Sequence, residues 1–104
     1  MSEFSNVTVA TKANIYFDGK VTSRKVTFAD GTVKTMGIML PGEYEFGTEQ
    51  TELMEIQAGT LDVHLPGKAG IQTFGPGDSF NVPAKATFKV IAESVVDYIC
   101  SYGV

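Results

Sequence analysis

The chain has no tryptophan, one cysteine and one histidine among its 104 residues. A single cysteine, Cys100, excludes an internal disulfide framework and suits a reducing, cytoplasmic setting. A single histidine, His64, removes the imidazole clusters that hold transition metals. Basic residues are also scarce, 8 Lys and Arg against 12 Asp and Glu, for a net charge of −4. That balance excludes the basic face a nucleic-acid partner needs. No apolar run approaches the roughly 20 residues that span a bilayer, and residues 1–6 do not read as a secretion signal, so no membrane partner is expected. There is no Gly-x4-Gly-Lys loop, internal repeat, low-complexity tract or linker. The expectation is one domain over residues 1–104, with 1–13 as an N-terminal arm or an exchanged strand.

Turn formers and strand formers are plentiful. Eleven glycines and seven phenylalanines go with short β-rich runs separated by Asp30-Gly31, Pro41-Gly42, Ala58-Gly59, Pro66-Gly67 and Gly75-Pro76-Gly77-Asp78. Asp30-Gly31 predicts a tight hairpin turn with two positive φ angles. Period-two alternation fills the intervals: Leu61, Val63 and Leu65 against Thr60, Asp62 and His64; Phe80 and Val82 against Ser79 and Asn81; Phe88 and Val90 against Thr87 and Lys89; Tyr98, Cys100 and Tyr102 against Asp97, Ile99 and Ser101. Residues 48–58 admit a short helix, but Met54 and Ile56 continue the alternation into Gly59, which favours a strand. The fold class predicted is all-β, a sandwich or barrel.

Among five glutamates between 43 and 55, Glu52 stands out. Glu43, Glu45 and Glu49 fit a solvated rim. Glu52 shares a strand face with Met54 and Ile56, where a carboxylate is costly unless paired or used, so it is either part of the rim or a functional acid. His64 points away from the apolar face and reads as a surface residue, and no Ser-His-Asp set can be built on it. Cys100 reads as a small buried apolar residue. Lys20, Ser23 and Arg24 combine cations with a hydroxyl and suit either a phosphate or a plain charged surface. Tyr44, Phe46, Phe80, Phe88, Tyr98 and Tyr102 fall on inward parities, as core or as a stacking slot for a flat ligand.

Glu52-x6-Gly59 followed by Gly77-Asp78 and Pro83 resembles the two-part signature of a small cupin barrel, a jelly-roll or double-stranded β-helix. The paired histidines of that pattern fall near Phe46 and Thr48, and the late one near Phe88. With three of four ligands absent, no metal is expected; carboxylates alone would suit only a hard cation. Five longer stretches narrow the resemblance: Tyr16-Phe17-Asp18-Gly19-Lys20-Val21-Thr22-Ser23, Gly37 through Pro41-Gly42-Glu43-Tyr44-Glu45-Phe46-Gly47-Thr48, Glu52-Leu53-Met54-Glu55-Ile56, Phe80-Asn81-Val82-Pro83 and Tyr98-Ile99-Cys100-Ser101-Tyr102. From about residue 14 onward the chain resembles the small pyrimidine/purine nucleoside phosphorylases, a metal-free cupin family.

The resemblance implies an enzyme that splits purine and pyrimidine nucleosides with phosphate, giving free base and ribose 1-phosphate. It also implies a homodimer, and no cofactor beyond phosphate as co-substrate. The residues themselves suggest the roles. Glu52 is the catalytic candidate, hydrogen-bonding ribose hydroxyls or facing the developing cation. Lys20, Ser23, Arg24 and Thr48 are candidates for phosphate. Tyr44, Phe46, Met54, Phe80, Phe88 and Tyr98 are candidates for the nucleoside. The rival expectations are a non-catalytic small-molecule-binding cupin and a different cupin enzyme such as a sugar isomerase.

Overall fold

Among the described residues the turn signals mark out eleven strands, and the alternation decides which face each buries. The computed structural model describes residues 3–104. In order the strands are β1 (Thr8–Val9), β2 (Asn14–Tyr16), β3 (Val21–Thr27), β4 (Val33–Met39), β5 (Gly42–Gly47), β6 (Glu52–Ala58), β7 (Leu61–His64), β8 (Gln72–Phe74), β9 (Ser79–Val82), β10 (Thr87–Ala92) and β11 (Val96–Tyr102). One 3-10 turn, Phe17–Gly19, joins β2 to β3. The larger sheet runs β1-β3-β4-β11-β6-β9, with β2 also on β3; the smaller runs β5-β10-β7-β8. All pairings are antiparallel. The chain is thus the expected all-β jelly roll, a two-sheet sandwich joined by side chains.

The core is the sum of the two inward faces. Val21, Met39, Met54, Ile56 and Val96 from the larger sheet meet Leu61, Val63, Val90 and Ala92 from the smaller. Residues 52–58 form a strand, as their alternation predicts, with Met54 and Ile56 buried. Residues 8–9 lie on the edge of this chain's own β3, with Val9 opposite Val26. Farther out, Phe4 meets Phe28 edge-on at 5.0 Å, and Lys34 caps both rings. The Asp30-Gly31 turn departs from expectation, because only Gly31 has positive φ. The Gly31 amide donates to Phe28 at 3.0 Å, the Phe28 amide to Thr32 at 2.8 Å, and Asp30 Oδ1 accepts from the Thr32 amide at 2.9 Å. This is a three-residue loop, Ala29 to Gly31, in which the Asp30 side chain bonds forward and only the last position is left-handed.

Candidate active site

The inward face of the larger sheet is not apolar throughout. Toward one end, successive cross-strand rows carry Ser23, Gly37 and Tyr98, then Lys25, Thr35, Cys100 and Met54, with Tyr102 paired to Glu52 beyond. Phe46 and Phe88 of the smaller sheet lie opposite, their ring centroids 5.7 Å apart. Between the sheets lies a cavity of about 160 Å3, with Glu52, Tyr98 and Tyr102 on one wall and Phe46 and Phe88 on the other. Phe46, Thr48 and Phe88 lie near the positions at which the cupin sequence pattern carries imidazoles, and a phenyl ring has no lone pair to give a metal. Among the described residues, no three His, Cys, Asp or Glu side chains come together to hold an ion.

Glu52 is half-buried, and loss of hydration raises its pKa above the ordinary 4.5. The Cys100 thiol donates to Glu52 Oε1 at 3.5 Å, a weak opposing pull. Burial and then the neighbouring carboxylate push the thiol up to about 12, so at neutral pH Cys100 is a donor and not a thiolate nucleophile. Burial raises the phenols of Tyr98 and Tyr102 as well, so both stay neutral donors. Tyr102 Oη and Thr35 Oγ1 share a hydrogen bond of 2.8 Å. Ser23 Oγ accepts from Asn14 Nδ2 at 3.2 Å, which leaves its own proton free to donate.

Gly37 makes this arrangement possible. It lies opposite Tyr98 in the ladder, and the Tyr98 ring lies across the space a side chain would fill. A Cβ at Gly37 would come within 2.7 Å of Tyr98 Oη and 2.2 Å of the Thr22 carbonyl. The phenol thereby reaches over β4 to the Thr22 carbonyl on β3, at 3.4 Å.

The residues singled out from the sequence divide. Glu52, Ser23, Phe46, Met54, Phe88 and Tyr98 line the one cavity. Arg24 alternates with buried Ser23, so it is exposed on the opposite face of β3, and Lys20 is exposed just before that strand. Thr48 is buried in a clasp: its hydroxyl donates to the Pro83 carbonyl at 2.6 Å and accepts from the Ala86 amide at 3.1 Å. With its one proton spent, it has no donor left for a phosphate. Tyr44 donates to the Leu40 carbonyl at 2.7 Å and lies against Phe17, away from the cavity. Phe80 stands behind Phe88, stacked on Phe74 at 4.6 Å. Thr35 and Tyr16, absent from the sequence-derived set, also line the cavity. The signal for Thr35 was its parity with Gly37 and buried Met39 along β4.

Residues 11–102 match the family model for pyrimidine/purine nucleoside phosphorylase. A relative of that name from Hydrogenovibrio crunogenus is 58% identical over 102 residues, which is 98% of each chain. Another, from Clostridioides difficile, is 53% identical over 98% of this chain and 97% of its own. Among solved structures, a protein described as of unknown function from an Acinetobacter species superposes with a TM-score of 0.93 at 39% identity, covering 96% of this chain and 97% of that one. An RmlC-like cupin from Shewanella frigidimarina, at 16% identity, TM-score 0.69 and coverage of 90% and 85%, shares the fold. The chain belongs to the pyrimidine/purine nucleoside phosphorylase family.

Proposed function

We propose that this protein cleaves purine and pyrimidine nucleosides with inorganic phosphate in the cavity between its sheets. One observation carries the reading beyond family membership: a partly desolvated carboxylate, Glu52, faces neutral hydroxyl donors on its own sheet and aromatic rings on the other. In the reaction the bond from the anomeric carbon to the base nitrogen breaks, and the electron pair leaves with the base, which takes up a proton. A phosphate oxygen bonds to the anomeric carbon. The sugar passes through an oxocarbenium-like state, by analogy with glycoside cleavage. A fixed carboxylate beside the ring stabilises that positive charge and accepts hydrogen bonds from ribose hydroxyls. Ser23 and the Thr35–Tyr102 pair, which has one proton to spare, supply neutral donors, and Tyr98, its proton given to the Thr22 carbonyl, offers an acceptor, so the sugar is held without neutralising Glu52.

Phe46 and Phe88 line the wall on which the base would lie, and stacking accepts any flat heterocycle. Recognition of the base by stacking alone discriminates weakly between purines and pyrimidines, which suits a broad specificity. The test is chromatographic, with uridine and adenosine, each with and without phosphate. Free base and ribose 1-phosphate are expected from both, only when phosphate is present. Base release without phosphate, or binding without turnover, would replace phosphorolysis with hydrolysis or plain ligand binding.

A homodimer, acting in the cytoplasm, belongs to the same proposal. The outward face of the larger sheet carries the row Arg24–Met36–Ile99–Glu55. Beside it lies Ser101, whose buried hydroxyl has no hydrogen-bond partner among the described residues. A second copy related by a two-fold axis through the middle of this row would set each Arg24 against the other's Glu55. Light scattering should find a dimer that Arg24→Glu separates and the added Glu55→Arg restores. A monomeric wild-type protein removes this part.

A further inference from the structure

The cavity at Glu52 is small for a whole nucleoside and a phosphate. Its volume of about 160 Å3 falls below the roughly 300–1,000 Å3 usual for ligand pockets. A second recess of about 460 Å3 abuts it, and Thr35 and Tyr102 line both. The hydrogen-bonded Thr35–Tyr102 pair is therefore a shared wall.

The chemistry of that recess is one-sided. Lys12 and Lys25 line it, with Asn14, Gln50, Thr35 and Tyr102, and among the described residues no Asp or Glu does. Lys25 follows Ser23 by two residues on β3 and, like Lys12, is exposed, so both ammonium groups stand at the open side of the recess. Lys12 lies in the loop between β1 and β2, the two short strands that share the β3 edge. Two ammonium groups on one wall repel each other unless an anion lies between them. From β3 across β4 and β11 to β6 is three strand spacings, roughly 14 Å. Across that distance the polarity runs from the lysines, through Ser23, Thr35 and Tyr102, to Glu52. A ribose placed over the hydroxyls would have cations on one side and the carboxylate on the other.

We propose that inorganic phosphate binds in this recess, held by Lys12 and Lys25 with hydroxyl donation from Thr35 or Tyr102, and not by Lys20 or Arg24. This rests on the phosphorolytic reading above and adds the place from which phosphate approaches. Lysine suits the task as a mobile point charge that follows the anion from free phosphate to sugar phosphate.

The test has two arms. In the kinetic arm, Lys12→Gln with Lys25→Gln should raise the KM for phosphate about tenfold or more. The KM for uridine should stay within about twofold, and Lys20→Gln should behave as wild type. An unchanged phosphate KM in the double variant, or a larger effect from Lys20→Gln, overturns the assignment. In the binding arm, inorganic phosphate should raise the Tm of the wild type above that in chloride of equal ionic strength, and the double variant should lose the difference. An equal shift in both proteins also overturns it. The second arm needs no turnover: absence of base release with an intact phosphate shift sinks phosphorolysis and leaves the anion site standing.

Discussion

The two sheets obey one alternation rule and deliver opposite chemistry. Around the cavity, the smaller sheet contributes the side chains of Phe46 and Phe88, whereas the larger adds to Met39 and Met54 the polar groups of Ser23, Thr35, Glu52, Tyr98, Cys100 and Tyr102. Rings need no partners, so the smaller sheet can bury them at the cost of shape alone. Hydroxyls and a carboxylate do need partners. The larger sheet supplies several from its own neighbours: Tyr102 with Thr35, Tyr98 with the Thr22 carbonyl, Cys100 with Glu52. A site divided this way can hold a flat, weakly polar base on one side and a sugar bristling with hydroxyls on the other. Losses on the larger sheet should therefore fall on turnover, and losses on the smaller on nucleoside affinity.

The sharpest break is at Glu52. Glu52→Gln keeps the volume and a hydrogen-bond acceptor for Cys100 while removing the charge. It should cut kcat by roughly 100-fold or more, the scale of a lost preorganised charge stabiliser, with an unchanged circular dichroism spectrum. Wild-type turnover would move the chemistry away from this carboxylate and make the polar wall a binding surface only.

Gly37→Ala attacks the same sheet through packing. The new Cβ meets the Thr22 carbonyl at 2.2 Å and Tyr98 Oη at 2.7 Å. The first contact is backbone, so the strand must shift. Overpacking of this kind costs about 1–3 kcal/mol, and each kcal/mol lowers Tm by roughly 4–8 °C in a domain of this size. Thermal scans should show that loss together with reduced kcat, because Tyr98 has to leave its place. An unchanged Tm would mean that β4 yields easily and that Gly37 does not hold the phenol in position.

Much of this division was legible in the sequence, and its gaps have physical causes. Glu52 beside Met54 and Ile56 could be placed on an inward face because strand parity is local. Parity also explains why Ser23 and Arg24, adjacent in sequence, end on opposite faces of β3. Grouping Lys20, Ser23 and Arg24 by their nearness in sequence leaves out that alternation. Thr48 could not be read the same way. Its partners, Pro83 and Ala86, are 35 and 38 residues away, and no local pattern reports such a clasp. The Asp30-Gly31 turn was found, but its type depends on whether Asp30 bonds forward to Thr32, which the dipeptide alone does not decide. Lys12 and Lys25 come together only because β1 and β2 share the edge of β3, a matter of topology.

On the smaller sheet the expected effect is milder. Phe88→Leu keeps apolar bulk and removes the ring that lies tilted against Phe46. The KM for uridine and adenosine should rise together by roughly 2- to 10-fold, the 0.5–1.5 kcal/mol of an aromatic pair. The KM for phosphate should not move. A rise in phosphate KM alone, or loss of only one nucleoside class, would show that the ring does more than stack.

The smallest effect is a stability difference between Glu52 and its neutral isostere as pH changes. Burial raises the carboxyl above its ordinary 4.5, with the Cys100 hydrogen bond pulling the other way. A folded-state pKa above the unfolded one means that the folded chain holds this proton more tightly. The stabilisation is then fully present below the unfolded value and is lost as pH rises through the folded one. A glutamine amide cannot ionise, so Glu52→Gln should match the wild type in acid and become relatively more stable as pH rises past the carboxylate range. Urea midpoints measured from about pH 4 to 7 would show the gap opening upward. Profiles that run parallel would mean that Glu52 is fully hydrated in the folded protein. The polar wall would then be as wet as the surface, and its contrast with the aromatic wall would lose the low dielectric that makes a fixed charge effective in catalysis.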